Sequence, residues 1–187
     1  MINKLKLSTE QKKLLLNSAR YNIQKHLGIE ITSAPDLSSS EFNQKFGLFV
    51  TLTINDELRG CIGFIEGIKP LREAIEEMAI QAAFHDPRFT PLTKTEFQHI
   101  AIEISILYPV ENVTNIEEIM VGRDGLIMER GYNRGLLLPQ VATEYGWDRE
   151  TFMNQTCRKA GMEAGCWKNG AMIKKFEAEI FNESQFK

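Results

Sequence analysis

The residues best suited to chemistry lie in the hexapeptide Leu58-Arg59-Gly60-Cys61-Ile62-Gly63. In an extended strand Arg59 and Cys61 share one face, because side chains alternate with a period of two. A neighbouring guanidinium favours the thiolate, which is the nucleophilic form of cysteine. The pattern predicts either a reactive Cys61 with Arg59 orienting an anionic substrate, or a small buried cysteine beside an arginine that covers the sheet.

Three further residues are predicted to bind a substrate. Gly60 and Gly63 interrupt the strand, and glycine there marks a bulge or the close approach of another backbone or a ligand. Arg88 lies in the segment His85-Asp86-Pro87-Arg88-Phe89, a loop of the kind that often carries functional groups. The alternative is that Arg88 only forms a surface ion pair.

Three residues are candidates for a general base that would deprotonate Cys61. His85 and Asp86 belong to the loop just described, and Glu103 shares a strand face with Ser105. If the strand that contains Glu103 lies beside the strand that contains Cys61, Glu103 faces Arg59 or Cys61. The alternatives are that Asp86 is a turn residue and that Glu103 is an ordinary polar residue on a solvated sheet face.

Hydrophobic periodicity and capping signals predict the elements that position these residues. The elements follow the order strand, strand, helix, strand, and they include hairpins. This order predicts an α+β fold with a mainly antiparallel sheet flanked by helices. The predicted elements are an N-terminal helix over 8–27, a linker over 32–40, a hairpin over 46–65, a helix from Pro70 that ends before Asp86-Pro87, a strand over Ile100–Tyr108, a second hairpin over 126–138, helices beginning at Pro139 and Asp148, and a last strand over 172–181.

Length and composition indicate one globular domain. The chain has 187 residues, and 22 Lys plus Arg against 25 Asp plus Glu give a net charge of −3. This balance argues against nucleic-acid binding, which is driven by positive charge. No segment approaches the roughly 20 apolar residues that a membrane span needs, and no signal peptide is recognised. The prediction is a cytoplasmic protein.

The cysteines and histidines form no recognisable metal motif. Cys61, Cys157 and Cys166 show no Cys-x-x-Cys spacing, and the three histidines are dispersed. We predict no metal and no cofactor. Cys157 and Cys166 are interpreted as reduced, structural thiols in a reducing compartment.

Four blocks of the sequence resemble the AMMECR family, whose prokaryotic members are called AmmeMemoRadiSam system protein A. The blocks are Leu58–Gly63, Asp86-Pro87-Arg88-Phe89-x-Pro91, Gly135–Ala142 with Glu144 and Trp147-Asp148, and Cys157-Arg158-Lys159-Ala160-Gly161. The resemblance covers nearly the whole chain. It implies an α+β fold of a larger and a smaller subdomain with a cleft between them, the smaller within residues 110–165. It also implies a Memo-like and a radical-SAM protein as partners, but no reaction.

Two functions of different class follow. The first is a thiol-dependent enzyme in which Cys61 reacts, Arg59 orients the substrate, and His85, Asp86 or Glu103 acts as base. The second is a non-catalytic module that binds the Memo-like or radical-SAM partner. Nucleic-acid binding ranks below both because of the net charge.

Overall fold

The computed structural model describes residues 5–31 and 33–186, which form two compact units. The first unit contains the residues up to 107 and those from 179 onward, and the second contains residues 108–178. No helix within the described ranges has the length and apolar character needed to cross a membrane. The elements are α1 (Thr9–His26), β1 (Gly47–Ile54), β2 (Glu57–Phe64), α2 (Leu71–Phe84), α3 (Lys94–Phe97), β3 (Ile100–Leu107), β4 (Glu111–Asn112), β5 (Asp124–Arg130), β6 (Asn133–Leu137), α4 (Pro139–Glu144), α5 (Arg149–Lys159) and β7 (Met172–Asn182).

The helices begin and end close to the predicted positions. Ser8 caps α1 in a reciprocal capping box with Gln11, and Asp148 caps α5. Pro70 is the residue before α2 rather than its first residue. Of the predicted linker, residue 32 lies outside the described residues, while residues 33–38 contain neither helix nor strand. The short helix α3 was not predicted, although Thr93 and Glu96 form a capping box at its start.

The sheet of the first unit is antiparallel, as predicted. β1 lies between β2 and β3 and pairs with both. β2 is the end strand in the strand order. The inward side chains of β1 and β3 form a fully buried apolar core with the apolar stripe of α2. They are Leu48, Val50, Leu52, Ile102, Ile104 and Ile106.

A bulge in β2 changes which side chains face the core. Thr53 pairs with Leu58 and Leu52 pairs with Gly60, so Arg59 is an extra residue on β2. Leu58, expected to face the core, is 44 % exposed, whereas Arg59, expected on the open face, is 9 % exposed. The predicted alternation through Arg59 and Cys61 is therefore wrong, because the extra residue breaks the period of two.

The second unit has its own core and its own set of paired strands. β5 lies between β6 and β7 and pairs antiparallel with both, while β4 pairs with β7. The hairpin β5–β6 was predicted. Buried side chains from β5, α4, α5 and β7 form the core of this unit, with Phe152 at its centre.

The cysteines of the second unit differ from the prediction. Cys157, in α5, and Cys166 form a disulfide, so the interpretation of both as reduced thiols is wrong. The chain reverses after α5 through Gly161 and Gly165, whose φ values of +74° and +80° favour glycine. This reversal brings the two Cα atoms to 5.8 Å. Cysteine spacing alone carries no information about such a turn.

This disulfide gives the first prediction. Thiol titration of the denatured chain with Ellman's reagent should detect one free thiol before reduction, that of Cys61, and three after reduction. The double variant Cys157→Ser, Cys166→Ser should lower the free energy of unfolding by about 2–3 kcal/mol, because the cross-link restricts the unfolded chain. Detection of three thiols without a reductant would contradict the disulfide.

Candidate functional site

The backbone of Cys61 is held on its outer side by two side chains. Cys61 is opposite Thr51 of β1, and among the described residues no strand pairs with the other edge of β2. Instead, the N–H of Cys61 donates to Oδ2 of Asp86 at 2.9 Å, and Nη2 of Arg88 donates to the carbonyl oxygen of Cys61 at 3.2 Å. Asp86 and Arg88 thus take the hydrogen bonds that a neighbouring strand would take, and they protect an edge strand at this residue.

Asp86 and Arg88 also form a two-point ion pair. Arg88 donates from Nε to Oδ1 at 2.9 Å and from Nη2 to Oδ2 at 2.7 Å, and its backbone N–H donates to Oδ1 at 3.1 Å. Asp86 is only 3 % exposed, so its charge depends on these donors. Hydrogen bonding to Arg88 lowers the pKa of the Asp86 carboxyl to about 2. A carboxylate this acidic is a poor proton acceptor at neutral pH, which argues against Asp86 as the general base.

Arg59 holds a second part of the same loop. Its Nε donates to Oε1 of Glu96 at 2.8 Å, and its Nη2 donates to Oε2 of Glu96 at 3.2 Å and to the carbonyl oxygen of Thr90 at 2.9 Å. Hydrogen bonding to Arg59 lowers the pKa of Glu96 to about 2. The guanidinium carbon lies 5.7 Å from the centre of the Phe89 ring, and that of Arg88 lies 5.5 Å from the same ring. Arg59 therefore anchors the loop, and its hydrogen bonds go to Glu96 and Thr90 rather than to Cys61.

The Cys61 thiol is free and half-buried. Thr51 donates from Oγ1 to its sulfur at 3.3 Å. Burial raises the pKa of the Cys61 thiol; the Thr51 hydrogen bond and the charge of Arg88 oppose this, and the charges of Asp86 and Glu103 add to it. The raised pKa favours the thiol over the thiolate. Arg88, which is paired with Asp86, is the guanidinium whose charge acts on Cys61 in place of Arg59, and the reactivity of Cys61 stays a prediction.

The other two candidate bases lie apart from the thiol. Glu103 is opposite Thr51, which is opposite Cys61, so the three side chains form one row across β3, β1 and β2. The strand β1 separates Glu103 from Cys61 by two strand spacings, or about 10 Å. β3 is thus not the neighbour of β2. His85 is exposed at the end of α2, and no hydrogen bond within the described residues joins it to Cys61.

Close packing accounts for both glycines of the hexapeptide. A Cβ atom on Gly60 would lie 2.1 Å from the carbonyl oxygen of Ala82 in α2. A Cβ atom on Gly63 would lie 2.3 Å from the carbonyl oxygen of Leu48 and 2.4 Å from the ring of Phe49. Glycine is required at both positions whether or not a ligand binds there. Contact of Gly60 and Gly63 with a substrate stays a prediction.

Three residues of the site were missed in the sequence. Glu96, Thr90 and Thr51 complete the contacts of Arg59 and Cys61. Only Glu96 had a readable signal, since Thr93 and Glu96 have the spacing of a capping box. No group of three or more His, Cys, Asp or Glu side chains in the described part of the chain could hold a metal ion.

The Asp86 contacts generate a prediction about acid stability. The folded-state pKa of about 2 lies below the value of about 3.9 for an unfolded Asp. The stabilisation is therefore full well above pH 4 and is lost as the pH falls towards 2. Asp86→Asn should lower the free energy of unfolding by about 2–4 kcal/mol at pH 7 and by much less at pH 2.5.

Urea unfolding of both proteins at the two pH values measures this difference. Asp56→Asn is the control, because Asp56 is exposed in the β1–β2 turn and Asn also tolerates its φ of +63°. That control should match the unsubstituted protein at pH 7. An Asp86→Asn deficit equal at pH 7 and pH 2.5 would contradict the assigned role of the carboxylate.

Known proteins resemble the chain over nearly its full length. The AMMECR1 family matches residues 16–181. A protein of Methanothermobacter thermautotrophicus is 45 % identical over 95 % of this chain and 96 % of its own length. A protein of Methanocaldococcus jannaschii is 47 % identical over 95 % of this chain and 92 % of its own length.

A solved structure shares the fold. The crystal structure of the uncharacterised protein PH0010 from Pyrococcus horikoshii has a TM-score of 0.87 and 41 % identity, covering 95 % of this chain and 93 % of that one. The sequence match and the shared fold agree with the four sequence blocks that resemble this family. The chain belongs to the AMMECR1 family.

Proposed function

We propose that the chain is a non-catalytic binding module whose partner is the Memo-like or radical-SAM protein that the family resemblance implies. The observation that carries the proposal is the commitment of the charged motif residues to structure. Asp86 and Arg88 hold each other and the backbone of Cys61, and Arg59 holds Glu96 and Thr90. Groups engaged in this way fix a loop on a strand, and the pKa of the Cys61 thiol stays raised by burial despite the nearby charge of Arg88.

The fixed loop presents side chains that are typical of protein interfaces. The Arg88 side chain is 47 % exposed, and the Phe89 ring lies against it and against Arg59. Leu58, which precedes Arg59, is an exposed large apolar residue. Arginine and aromatic residues are enriched at binding hot spots. A surface that is rigid before binding also loses less conformational entropy on association.

We use the name loop surface for the side chains of Leu58, Arg88 and Phe89. The partner that docks on it is a protein, because exposed arginine and large apolar side chains are typical of protein interfaces. The cytoplasm is the compartment that we propose for this association.

Binding of the purified Memo-like protein, and separately of the radical-SAM protein, tests this proposal by calorimetric titration. Leu58→Lys should weaken the association with one of them about tenfold or more, because a charge replaces an apolar contact at the interface. Cys61→Ala should leave the affinity within about twofold, since the thiol makes no interface contact in this account.

Tyr132→Ser is the matched control for Leu58→Lys. Tyr132 is a fully exposed apolar residue at the turn between β5 and β6 in the second unit, and its loss should not change the affinity. The proposal fails if neither protein binds. It also fails if Cys61→Ala abolishes binding while Leu58→Lys leaves it intact.

A second candidate function is thiol chemistry at Cys61. Its support is that the thiol is half-exposed and has polar neighbours, unlike an inert core cysteine. In this function the sulfur attacks an electrophilic carbon of the substrate, the S–H proton passes to water, and a leaving group departs from the same carbon. The thiol must first lose its proton, and the contacts described above supply no suitable base.

The pH dependence of iodoacetamide alkylation separates the two functions. For the binding module, the alkylation rate at Cys61 should reach half its maximum above about pH 8.5. The ordinary pKa of a thiol is about 8.5, and burial raises the pKa of Cys61. Thr51→Val should raise that midpoint further, because it removes the hydrogen bond that lowers the pKa of Cys61. Thr51→Ser, which keeps the hydroxyl, should not. A midpoint below pH 7.5 would overturn the proposal in favour of thiol chemistry.

A further inference from the structure

A cavity of about 540 Å³ lies in the first unit, apart from the residues around Cys61. Three separate parts of the chain form it: one face of α1, the residues at the start of β3, and the C-terminal turn Glu183–Phe186. The volume falls within the range of sites that hold small organic molecules.

The guanidinium of Arg20 is fixed in the wall of this cavity. Arg20 donates from Nε and Nη2 to the two carboxylate oxygens of Glu183, at 2.6 and 2.7 Å, and from Nη2 to the carbonyl oxygen of Ile100 at 2.8 Å. Its guanidinium carbon lies 5.2 Å from the centre of the Phe97 ring. Glu183 also accepts from the N–H of Ile102 at 3.0 Å. These contacts use Nε and Nη2, and no described residue accepts a hydrogen bond from Nη1.

Other polar groups of the lining are also uncommitted. Asn17 and Gln98 carry exposed carboxamides for which no hydrogen bond to a described residue is found. Among the described residues Lys13 pairs with Glu10 alone, a 78 % exposed residue one turn earlier on α1, at 3.2 Å. Such exposed pairs are weak and are readily exchanged. The one carboxylate of the lining, Glu183, is already satisfied by Arg20 and by a backbone N–H.

We infer that this cavity binds a small organic anion that carries one carboxylate or phosphate group and an apolar body. Arg20 Nη1 and Lys13 supply the positive charge, and two carboxamides supply further hydrogen bonds. The half-buried ring of Phe186 supplies most of the apolar wall for the body of the ligand, because Leu16 and Ile100 are themselves almost fully buried. A fixed guanidinium suits an oxyanion because little side-chain order is lost on binding. This site is independent of the partner binding proposed above.

NMR titration with three probes of similar size tests the inference. Phenylacetate carries a carboxylate, phenyl phosphate carries a phosphate, and 2-phenylethanol is the neutral analogue. One or both anions should shift the side-chain amide signals of Asn17 and Gln98 saturably, and the alcohol should not. The anion that binds more tightly identifies the ligand class.

The variant Lys13→Gln should weaken binding of the better anion about fivefold, the effect of one exposed charge. Lys25→Gln is the matched control, because Lys25 is an exposed lysine in the last turn of the same helix and is not part of the lining. It should leave the affinity unchanged. The inference fails if neither anion gives saturable shifts, if the neutral alcohol binds equally well, or if Lys25→Gln weakens binding as much as Lys13→Gln.

Discussion

A single buried carboxylate connects the main features of the first unit. Asp86 accepts hydrogen bonds from the backbone N–H of Cys61 and from the side chain and backbone of Arg88. Without it, an edge-strand N–H would lack its partner and the charge of Arg88 would be less well balanced. Because Arg88 in turn donates to the carbonyl oxygen of Cys61, one ion pair completes both backbone groups of that residue. The loop after α2 is thereby fixed to β2.

The same arrangement explains why Cys61 has a raised pKa, although its sequence motif resembles that of an activated cysteine. Arg59 and Arg88 are the two cations of the motif, and each is occupied by a carboxylate, Glu96 or Asp86. Neither carboxylate is a useful base, since the pKa of each is about 2. What remains accessible is a fixed loop with Arg88 and Phe89, together with the exposed side chain of Leu58 on β2. Recognition of a protein follows from these properties more directly than catalysis does.

Most elements could be predicted from local signals, whereas the site depended on contacts between distant residues. The β1–β2 hairpin, the stripe of α2 and the cap of α5 each follow from spacing within a few residues. Gly60 and Gly63 indicated either a bulge or a close approach. That Arg59 is the extra residue, which reverses the exposure of Leu58 and Arg59, depends on pairing with β1 and could not be predicted. Arg88 was predicted either to bind a substrate or to form an ion pair. Its contacts with Asp86 and the Cys61 backbone are set by the fold, and a role in substrate binding stays a prediction.

The central claim is that the Asp86 carboxylate holds the Cys61 backbone. The most direct measurement is native-state hydrogen exchange of the Cys61 backbone amide, compared between the unsubstituted protein and Asp86→Ala. The account predicts that this amide is protected to the level of amides paired within β1 and β2, and that Asp86→Ala selectively removes its protection. Exchange of the Cys61 amide at the rate of an unpaired edge residue in the unsubstituted protein would contradict the account.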